Sequence, residues 1–301
     1  MRRMALIAAR PTAAGDELEN VSYPDVRVEQ MTPEQALSEL AAGDVAVGRL
    51  DVRRTLDGVD EGLWVLGALE ARGVAVLNSA AALLATHDKL LTARLLEAAG
   101  VRHPRTTVVR TGARPRLDPP VVVKPRFGSW GHDVFRCDDD EALAAALALV
   151  SSREWFGARG ALVQELVPPA GYDMRILVAN GRCVGAISRV AARGEWRTNV
   201  ALGAKRVPVD PPADAVALAV STAETLGTAL VGVDLLPARD GGWIVIEANG
   251  AVEFGRPYAT RSDVFHDTVA ALAAAAIAQP RPSHASFGAQ QRPLVEGQPA
   301  G

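Results

Sequence analysis

The sequence predicts a mixed α/β protein in which a small parallel α/β domain is followed by two α+β units. Short apolar runs alternate with helical patterns over the first 85 residues, which is typical of βα units around a parallel sheet. Further on, Asn180-Gly181 and residues 239–242 each join two strand-like runs, and both connections are typical of antiparallel hairpins. With 301 residues, 49% of them hydrophobic, the chain is long enough for two or three domains with buried cores, or for one large α/β unit.

The first domain is predicted to cover residues 1–85. Thr32, Pro33 and Glu34 provide an N-cap, a proline at the first helical position and an acidic first turn, which predicts a helix over residues 33–42. No GxGxxG follows the first strand, so a Rossmann-type dinucleotide site is not predicted. The predicted strands lie at residues 5–9, 26–28, 45–48 and 74–78.

The second unit, residues 86–168, is predicted to begin with a helix from residue 86 that ends at Gly100. The acidic residues 138–141 predict the start of another helix, which runs to about residue 150. A glycine-rich loop at residues 127–131 lies between these helices. The predicted strands lie at residues 106–109, 121–124 and 161–167.

The third unit, residues 169–280, is predicted to contain two hairpins and two helices. Residues 281–301 are rich in proline, glycine and glutamine and are therefore predicted to form a disordered tail. The hairpin strands are predicted at residues 174–178, 182–190, 229–236 and 243–248, and the helices at residues 213–226 and 263–278.

Charge and cysteine content exclude several classes of protein. A formal net charge of −3 leaves no basic excess to hold a polyphosphate backbone, so no nucleic-acid partner is expected. Cys137 and Cys183 form no CxxC or Cys/His cluster, which argues against a disulfide framework and a structural zinc site. The apolar run at residues 4–9 is too short for a signal peptide, and no apolar stretch approaches about 18 residues. We therefore expect a cytoplasmic protein without a membrane partner.

The most informative residues are acidic. Asp234 lies in the strand-like VGVDLLP, and Glu247 with Asn249 ends its predicted hairpin partner, WIVIEANG. Because residues two apart in a strand share a face, the hairpin would bring three oxygen ligands together. Such a set suits Mg²⁺ with substrate phosphates better than it suits zinc. The alternative, that Asp234 and Glu247 are charges at a solvent-facing sheet edge, stays open at this point.

Two lysines and a glycine-rich loop suggest phosphate binding. Lys124 ends the apolar run VVVKP, where a buried ammonium would need an anionic partner. Lys89 lies near the start of a helix and, taken alone, is better explained as a solvated lysine. The backbone amides of Gly128, Ser129, Trp130 and Gly131 could close over phosphates, although the chain has no GxxxxGK[ST] motif and such loops are often only turns.

A further cluster consists of Arg189, Arg197 and Asn199 in the segment SRVAARGEWRTNVALGA. Two guanidinium groups and an amide could neutralise charge on a transferring phosphoryl group, or could simply solvate a loop. The chain has no HExxH motif, no GxSxG motif and no paired Cys/His nucleophile, which weakens any hydrolase interpretation.

Taken in order, these segments resemble the ATP-grasp superfamily and, within it, the RimK-like carboxylate–amine ligases that include the LysX-type enzymes. The resemblance covers about residues 86–254 and implies an ATP-grasp fold whose central subdomain is residues 86–168 and whose C-terminal subdomain is residues 169–280. The segments that carry it are HDKLLTARLLEAAGVRHPRT, VVVKPRFGSWGHD, VQELV followed by YDMRILV, ISRVAARGEWRTNVALGA, and VGVDLL with VIEANGAVEF.

The resemblance implies ATP and two Mg²⁺ ions, for which Mn²⁺ would substitute, as cofactors. Lys89 and Lys124 would hold the phosphates beneath the mobile loop at residues 128–131, and Arg175 would lie beside them. Gln164, Glu165 and Val167 would line the adenine slot, with Asp173 near the ribose. The metal ligands would be Asp234, Glu247 and Asn249, and the acyl phosphate would be held by Arg189, Arg197 and Asn199.

The implied reaction joins an amino acid, through an acyl phosphate, to a glutamate carboxylate of a small acidic carrier protein or of a small molecule. A departure from the LysX-type pattern after Asn249, where this chain reads Gly250-Ala251-Val252, leaves the identity of both substrates open. Two alternatives also stay open: a glutamate ligase that extends a ribosomal protein, and a nucleotide-binding regulatory protein without turnover. A homo-oligomer is expected because most soluble oligomers are of this kind.

Overall fold

The computed structural model describes residues 1–51, 54–55, 58–59, 62–128, 130–259 and 262–278. Over these residues the chain forms a four-stranded parallel sheet, antiparallel sheets of four and five strands and a two-stranded antiparallel ribbon, flanked by helices, which confirms the predicted mixed α/β class. The tail at residues 281–301, which was predicted to be disordered, lies outside the described residues. None of the described helices is long and apolar enough to cross a membrane.

The N-terminal part is built on a four-stranded parallel sheet with the strand order β2-β1-β3-β6. Along β1, Met4 and Leu6 alternate with Ala5 and Ile7, and all four are buried because the sheet is covered on both faces. The elements of this part are β1 (Arg2–Ile7), α1 (Ala13–Glu19), β2 (Val26–Met31), α2 (Pro33–Glu39), β3 (Val45–Gly48), β4 (Arg54–Thr55), β5 (Gly58–Val59), α3 (Gly62–Ala71), β6 (Ala75–Leu77) and α4 (Ala80–His87).

The helices of this part differ in places from the prediction. Helix α2 begins with the predicted Thr32 cap, reinforced by Gln35 in a capping box, but ends at Glu39 rather than at residue 42. Helices α1 and α3 were not predicted. Helix α1 has only seven residues and includes Gly15, and α3 is apolar on nearly every side, so neither shows an amphipathic pattern.

The prediction of one helix from residue 86 was wrong, because the structure divides this segment at Asp88. Helix α4 ends at His87, and α5 (Lys89–Ala98) begins directly after Asp88. The Asp88 carboxylate accepts hydrogen bonds from the backbone N–H groups of Leu90 and Leu91 at 3.2 and 3.3 Å, and from Arg126 Nε at 2.6 Å. The aspartate therefore caps α5 and sets the position of Lys89, the first residue of that helix.

The central antiparallel sheet has the strand order β7-β10-β8-β9. Val121 and Val123 of β8 pack into a core with α6 and α7, whereas Val122 and Lys124 point to the opposite face. Strand β10 ends at Glu165, two residues before the predicted end. The elements are β7 (Thr106–Val109), β8 (Val121–Pro125), β9 (Phe135–Cys137), α6 (Asp140–Ser151), α7 (Glu154–Arg159) and β10 (Ala161–Glu165).

The C-terminal antiparallel sheet has the strand order β13-β12-β11-β14-β15. Asn180 and Gly181 both have positive φ angles, which confirms the predicted hairpin turn. Helix α8 packs on one face and α9 on the other, where α9 also packs against the N-terminal sheet. The elements are β11 (Tyr172–Ala179), β12 (Arg182–Val190), β13 (Lys205–Pro208), α8 (Ala213–Thr225), β14 (Leu230–Pro237), β15 (Trp243–Asn249) and α9 (Val264–Ala278).

Candidate active site

A cleft lies between the central sheet and the C-terminal sheet. Most of the residues that the sequence suggested as site residues line it. Arg175 and Asn249 are not among the lining residues, and Ser129 lies outside the described residues. The predicted residues on the wall are Lys89, Lys124, Gly128, Trp130, Gly131, Gln164, Glu165, Val167, Asp173, Arg189, Arg197, Asn199, Asp234 and Glu247.

The floor of the cleft follows from the alternation of residues along β11. Asp173 and Arg175 alternate with two apolar residues that pack into the core beneath α8. Asp173 is paired in register with Arg189 of β12, and Arg175 is paired with Asp234 of β14. Because cross-strand partners share a face, these four charged side chains meet on the face that points to the cleft.

These charges form a buried ionic network. Arg175 donates from Nε and Nη2 to the two oxygens of Asp234, at 2.6 and 2.7 Å, and Arg189 Nη2 donates to Asp234 Oδ2 at 2.8 Å. Arg189 also pairs with Asp173, which accepts a further hydrogen bond from Thr198 Oγ1. Burial alone would raise the pKa of Asp234, but the two arginines hold it below its usual range. Burial raises the pKa of Asp173, although the hydrogen bond and the charge of Arg189 act to lower it.

Both predicted lysines interact electrostatically with Glu247, and Lys89 also contacts it. Lys89 Nζ lies 2.9 Å from Glu247 Oε1 and donates to the carbonyl oxygen of Gly128 at 2.6 Å. Lys124 Nζ donates to Gln164 Oε1 at 2.7 Å and is almost completely buried. Burial, with a smaller effect from the charge of Lys89, lowers the pKa of Lys124 to about 8, while Glu247 opposes this shift. A bound anion would therefore supply a counter-charge to the buried ammonium group of Lys124.

The pKa of Lys124 predicts how the affinity for a polyphosphate depends on pH. Below about pH 8 the ammonium is already charged, whereas above it the lysine must first take up a proton before it pairs with phosphate. We expect the Kd for ATP to rise by up to about tenfold per pH unit above that value. Calorimetric titration at pH 7 and pH 9.5 measures this. A Lys124→Arg variant, which stays charged, should show a flatter profile, and equal slopes in both proteins would contradict the assignment.

The glycine-rich loop is joined to the segment that follows β12. Arg197 Nη1 donates to the carbonyl oxygen of Gly131 at 2.9 Å. Gly131 has a φ of +75°, and a Cβ built on it would lie 2.8 Å from Asn199 Oδ1. The backbone angle favours glycine, and any Cβ at this position would displace the Asn199 side chain. The loop therefore lies directly over Arg197 and Asn199, as a cover for the phosphates would.

Replacing Gly131 with alanine should displace Asn199 and strain the loop. Because a displacement of about 1 Å costs up to about 100-fold in catalysis, we expect at least a tenfold lower kcat/KM for ATP, with the melting temperature within a few degrees of the wild type. Gly112→Ala is the matched control, since Gly112 has a φ of +76° and nothing within 4 Å of its Cβ position. Equal activities of the two variants would contradict a role for the contact with Asn199.

Glu195 is a site residue that the sequence reasoning missed. Its carboxylate accepts hydrogen bonds from Arg197 Nε and Nη2, at 2.9 and 2.8 Å, and from the backbone N–H groups of Trp196 and Arg197. These bonds, chiefly those from the Arg197 side chain, lower the pKa of Glu195 to about 2. The sequence did contain an indication of this pairing, namely a carboxylate two residues before the arginine. The pairing aims the remaining guanidinium nitrogen of Arg197 at the loop.

The far end of the cleft is apolar and is bordered by the chain between the two sheets. Gln164 does not face the cleft freely, because its amide donates to Thr106 Oγ1 at 2.8 Å while its carbonyl accepts from Lys124. The predicted adenine-slot residues Glu165 and Val167 line this end. The sequence did not single out the apolar wall, since its residues look like ordinary core positions; they are Val122, Val134, Leu166, Leu236 and Ile246.

The donor set at the Glu247 end fits a hard cation that also binds phosphate. Asp234 and Glu247 are directly paired in register, and Asn249 lies two residues further along the same face. The Asn249 side-chain nitrogen is buried without a hydrogen-bond partner, and a flip of the amide would place an oxygen there. Among the described residues no three His, Cys, Asp or Glu side chains form a metal site by themselves. A Mg²⁺ ion would thus need phosphate oxygens, as it commonly does.

Comparison with known proteins identifies the family. The model of the RimK-like ATP-grasp domain matches residues 86–263, which include both antiparallel sheets and every residue on the cleft wall. The chain belongs to the RimK-like ATP-grasp family. The match confirms the resemblance that the ordered motifs indicated, and it places the two sheets around the cleft in the ATP-grasp domain.

Individual relatives agree with this family. The chain is 32% identical over 183 residues to the alpha-aminoadipate–LysW ligase LysX of Sulfurisphaera tokodaii, an alignment that covers 59% of this chain and 64% of that protein. It is 31% identical over 235 residues to a probable alpha-L-glutamate ligase of Teredinibacter turnerae, with 75% of each chain covered. The chain thus spans slightly less than two thirds of the LysX relative.

Solved structures agree on the fold. A RimK domain ATP-grasp protein from Sphaerobacter thermophilus superposes with a TM-score of 0.63 at 25% identity, covering 89% of this chain and 98% of that one. D-alanine–D-alanine ligase from Bacillus anthracis, solved in complex with ATP, superposes with a TM-score of 0.64 over 92% of this chain and 98% of the other. At 15% identity the second similarity concerns the fold alone.

Proposed function

We propose that the chain is an ATP- and Mg²⁺-dependent carboxylate–amine ligase that forms an amide bond and releases ADP. The observation that carries this proposal is the arrangement of the cleft, where Lys89, Lys124 and Arg197 face the carboxylates Asp234 and Glu247 beneath a glycine-rich loop. A site that combines cations, hard oxygen ligands and a backbone cover suits phosphoryl transfer. Membership of the RimK-like ATP-grasp family supports the same reaction class.

In this proposal the residues of the chain bind and orient the triphosphate. Lys124 and Lys89 hold its phosphates, and the glycine-rich loop closes over them and excludes water. Asp234, Glu247 and Asn249 would hold Mg²⁺, which would neutralise charge on the transferring phosphoryl group. Lys89 would then exchange its contact with Glu247 for a contact with phosphate. The apolar end of the cleft takes the adenine, beside Glu165 and Val167.

The chemistry needs two bond-forming steps and no nucleophile from the protein. A carboxylate oxygen of the substrate attacks the γ-phosphorus of ATP, so ADP leaves and an acyl phosphate forms. The amine nitrogen then attacks the acyl carbon, the bond to phosphate breaks, and the amine loses a proton. Arg197 and Asn199 would stabilise the phosphate of the acyl phosphate, with Arg189 behind them in the ionic network. The roles of Asp173 near the ribose and of Arg175 near the phosphates stay predictions.

We further propose that the substrates are an amino acid and a glutamate carboxylate, carried by a small acidic protein or a small molecule. The LysX relatives support a carrier protein, since they are named as ligases that act on LysW. The probable alpha-L-glutamate ligase is the reason to retain glutamate addition as a second candidate, because it aligns with more of this chain than the LysX relatives do. A cytoplasmic location and a homo-oligomeric state complete the proposal.

A turnover screen tests the reaction class. Purified protein with ATP and Mg²⁺ is supplied with single amino acids, with and without a peptide that ends in glutamate, and ADP release is followed. We expect ADP release that requires both substrates. ATP binding without ADP release across a panel that includes dicarboxylic amino acids would instead favour the nucleotide-binding regulator.

A further inference from the structure

Arg49 is a buried arginine at the carboxyl edge of the N-terminal parallel sheet. It directly follows β3, and its backbone N–H donates to the carbonyl oxygen of Ile7 at 2.9 Å, which continues the pairing of β3 with β1. Only 2% of its side chain is exposed. The carboxyl ends of parallel strands are where α/β proteins bind ligands, and nothing in the ATP-grasp motifs assigns a role to this residue.

The guanidinium of Arg49 is only partly used. Its Nη2 donates to the carbonyl oxygen of Val252 and to Glu253 Oε1, both at 2.7 Å. Its Nε and Nη1 are buried, and in the part of the chain that the structure describes they have no hydrogen-bond partner. Burial lowers the pKa of Arg49, and Glu253 only partly opposes this. Since buried charged donors are normally satisfied, these two nitrogens have hydrogen bonds left to donate, and an anion would match their charge as well as accept those bonds.

The arginines at the cleft, one buried and two half-buried, differ from Arg49 in this respect. Arg175 and Arg189 each have Nε and Nη2 on an aspartate, so their charge is matched within the protein. Arg197 is held by Glu195 and points to the glycine-rich loop. Arg49 is therefore the arginine, among those described here, that combines deep burial with unpaired nitrogens.

Arg49 is connected to the proposed active site by the chain that leaves β15. Val252 and Glu253, its two partners, follow closely after Asn249, the proposed metal ligand. Asn78, at the end of β6, donates to the carbonyl oxygens of Leu230 and Gly250 at 2.7 and 3.2 Å. These bonds hold the carboxyl edge of the N-terminal sheet against the ends of β14 and β15.

The contact continues into the ionic network through Val252. A Cβ built on Gly232 would lie 2.6 Å from Val252 Cγ2 and 3.4 Å from Arg175 Cδ. Gly232 is paired in register with Asn249. Val252 thus packs against the strand ends that carry Asp234 and Asn249, while its carbonyl oxygen accepts from Arg49. Arg49 therefore contacts the segment that directly follows the proposed metal ligand Asn249.

We infer that Arg49 binds a carboxylate of the amino acid whose amine is the nucleophile. This inference rests on the proposed function, because an amino acid brings a carboxylate that must be held apart from the phosphates. Lys89, Lys124 and Arg197 are committed to the phosphate side in that function. Arg49 offers unpaired, charged donors beside the segment that follows Asn249, and hydrogen bonds to a carboxylate would satisfy them.

Calorimetry on the full chain, loaded with a non-hydrolysable ATP analogue and Mg²⁺, tests this assignment. The probes are L-glutamate, L-α-aminoadipate, L-glutamine and L-isoglutamine, so that the side-chain carboxylate and the α-carboxylate are removed in turn. Arg49→Gln should weaken binding of the acids by roughly 10- to 100-fold, as expected for a charge-assisted hydrogen bond. For the amide that lacks the carboxylate bound by Arg49, Arg49→Gln and the wild type should bind with the same affinity. Arg256→Gln, an exposed arginine paired with Glu17, is the matched control.

The outcomes separate this inference from the function on which it rests. Affinity of Arg49→Gln for the acids equal to that of the wild type would overturn the inference and leave the ligase proposal intact. Loss of ATP-analogue affinity together with a lower melting temperature would mean that Arg49 is only structural, and would also overturn it. Wild-type protein that binds the ATP analogue but none of the probes would count against the substrate proposal itself. If Arg49→Gln does not fold, Arg49→Lys is tested with the same criteria.

Discussion

Replacing Glu247 with glutamine should abolish ATP turnover, with a loss of at least about 100-fold, while the chain stays folded. Glutamine has the same shape but lacks the charge that pairs with Lys89 at 2.9 Å and that would hold Mg²⁺. Metal ions stabilise the charge that develops in the transition state of phosphoryl transfer by several kcal/mol, so the loss should appear in kcat. ADP release measures turnover, and circular dichroism with the melting temperature measures folding.

Glu97→Gln is the matched control for this substitution. Glu97 carries the same charge change on α5, but it is exposed and pairs with Arg94, away from the cleft. Its turnover should equal that of the wild type, since exposed ion pairs of this kind contribute little. If Glu247→Gln kept wild-type turnover, the assignment of the Asp234, Glu247 and Asn249 end of the cleft to a metal would be wrong.

Replacing Lys124 with methionine should have opposite effects on ATP binding and on the unliganded protein. Methionine is similar in length but uncharged, so the Kd for ATP should rise by roughly 10- to 100-fold. Because burial lowers the folded-state pKa of Lys124 from 10.5 to about 8, its charge destabilises the unliganded fold fully below about pH 8, and this destabilisation declines as the pH rises from there toward the unfolded-state pKa. The unliganded variant should therefore melt no lower than the wild type at pH 7.

The control for this variant is Lys205→Met, at an exposed position in the edge strand β13. It changes the net charge equally and should leave the Kd for ATP unchanged. Calorimetric titration with ATP and thermal unfolding at pH 7 give both quantities. An unchanged Kd in Lys124→Met would mean that the buried ammonium serves the fold, through Gln164, rather than the phosphates.

The predictable part of the site is the part whose residues share a short motif. Glu247 and Asn249 are two apart in one strand, and the hairpin to Asp234 is short, so strand periodicity alone places them together. Lys124 was predicted for a similar reason, since three valines before it indicate a buried strand. The ordered motifs then gave the family, which the comparison confirms.

The remaining features depend on contacts between residues far apart in the sequence. Arg49 is separated by 203 residues from Val252, and no local pattern predicts that its guanidinium is buried there. Asp88 interrupted a helical pattern that otherwise looked continuous, because its carboxylate caps α5 and pairs with Arg126. The apolar cleft wall was missed because residues such as Ile246 have the same pattern as core residues. Tertiary contacts, which periodicity does not encode, decide each of these cases.

The most direct test of the central claim follows oxygen from the substrate carboxylate. The carboxylate of the peptide that ends in glutamate is labelled with ¹⁸O and supplied with ATP, Mg²⁺ and the amino acid that supports ADP release, and the phosphate is analysed by mass spectrometry. Transfer of one ¹⁸O to inorganic phosphate, together with an amide product, is the result that an acyl phosphate formed in this cleft predicts. Unlabelled phosphate alongside ADP would contradict the account, because ATP would then be hydrolysed by water.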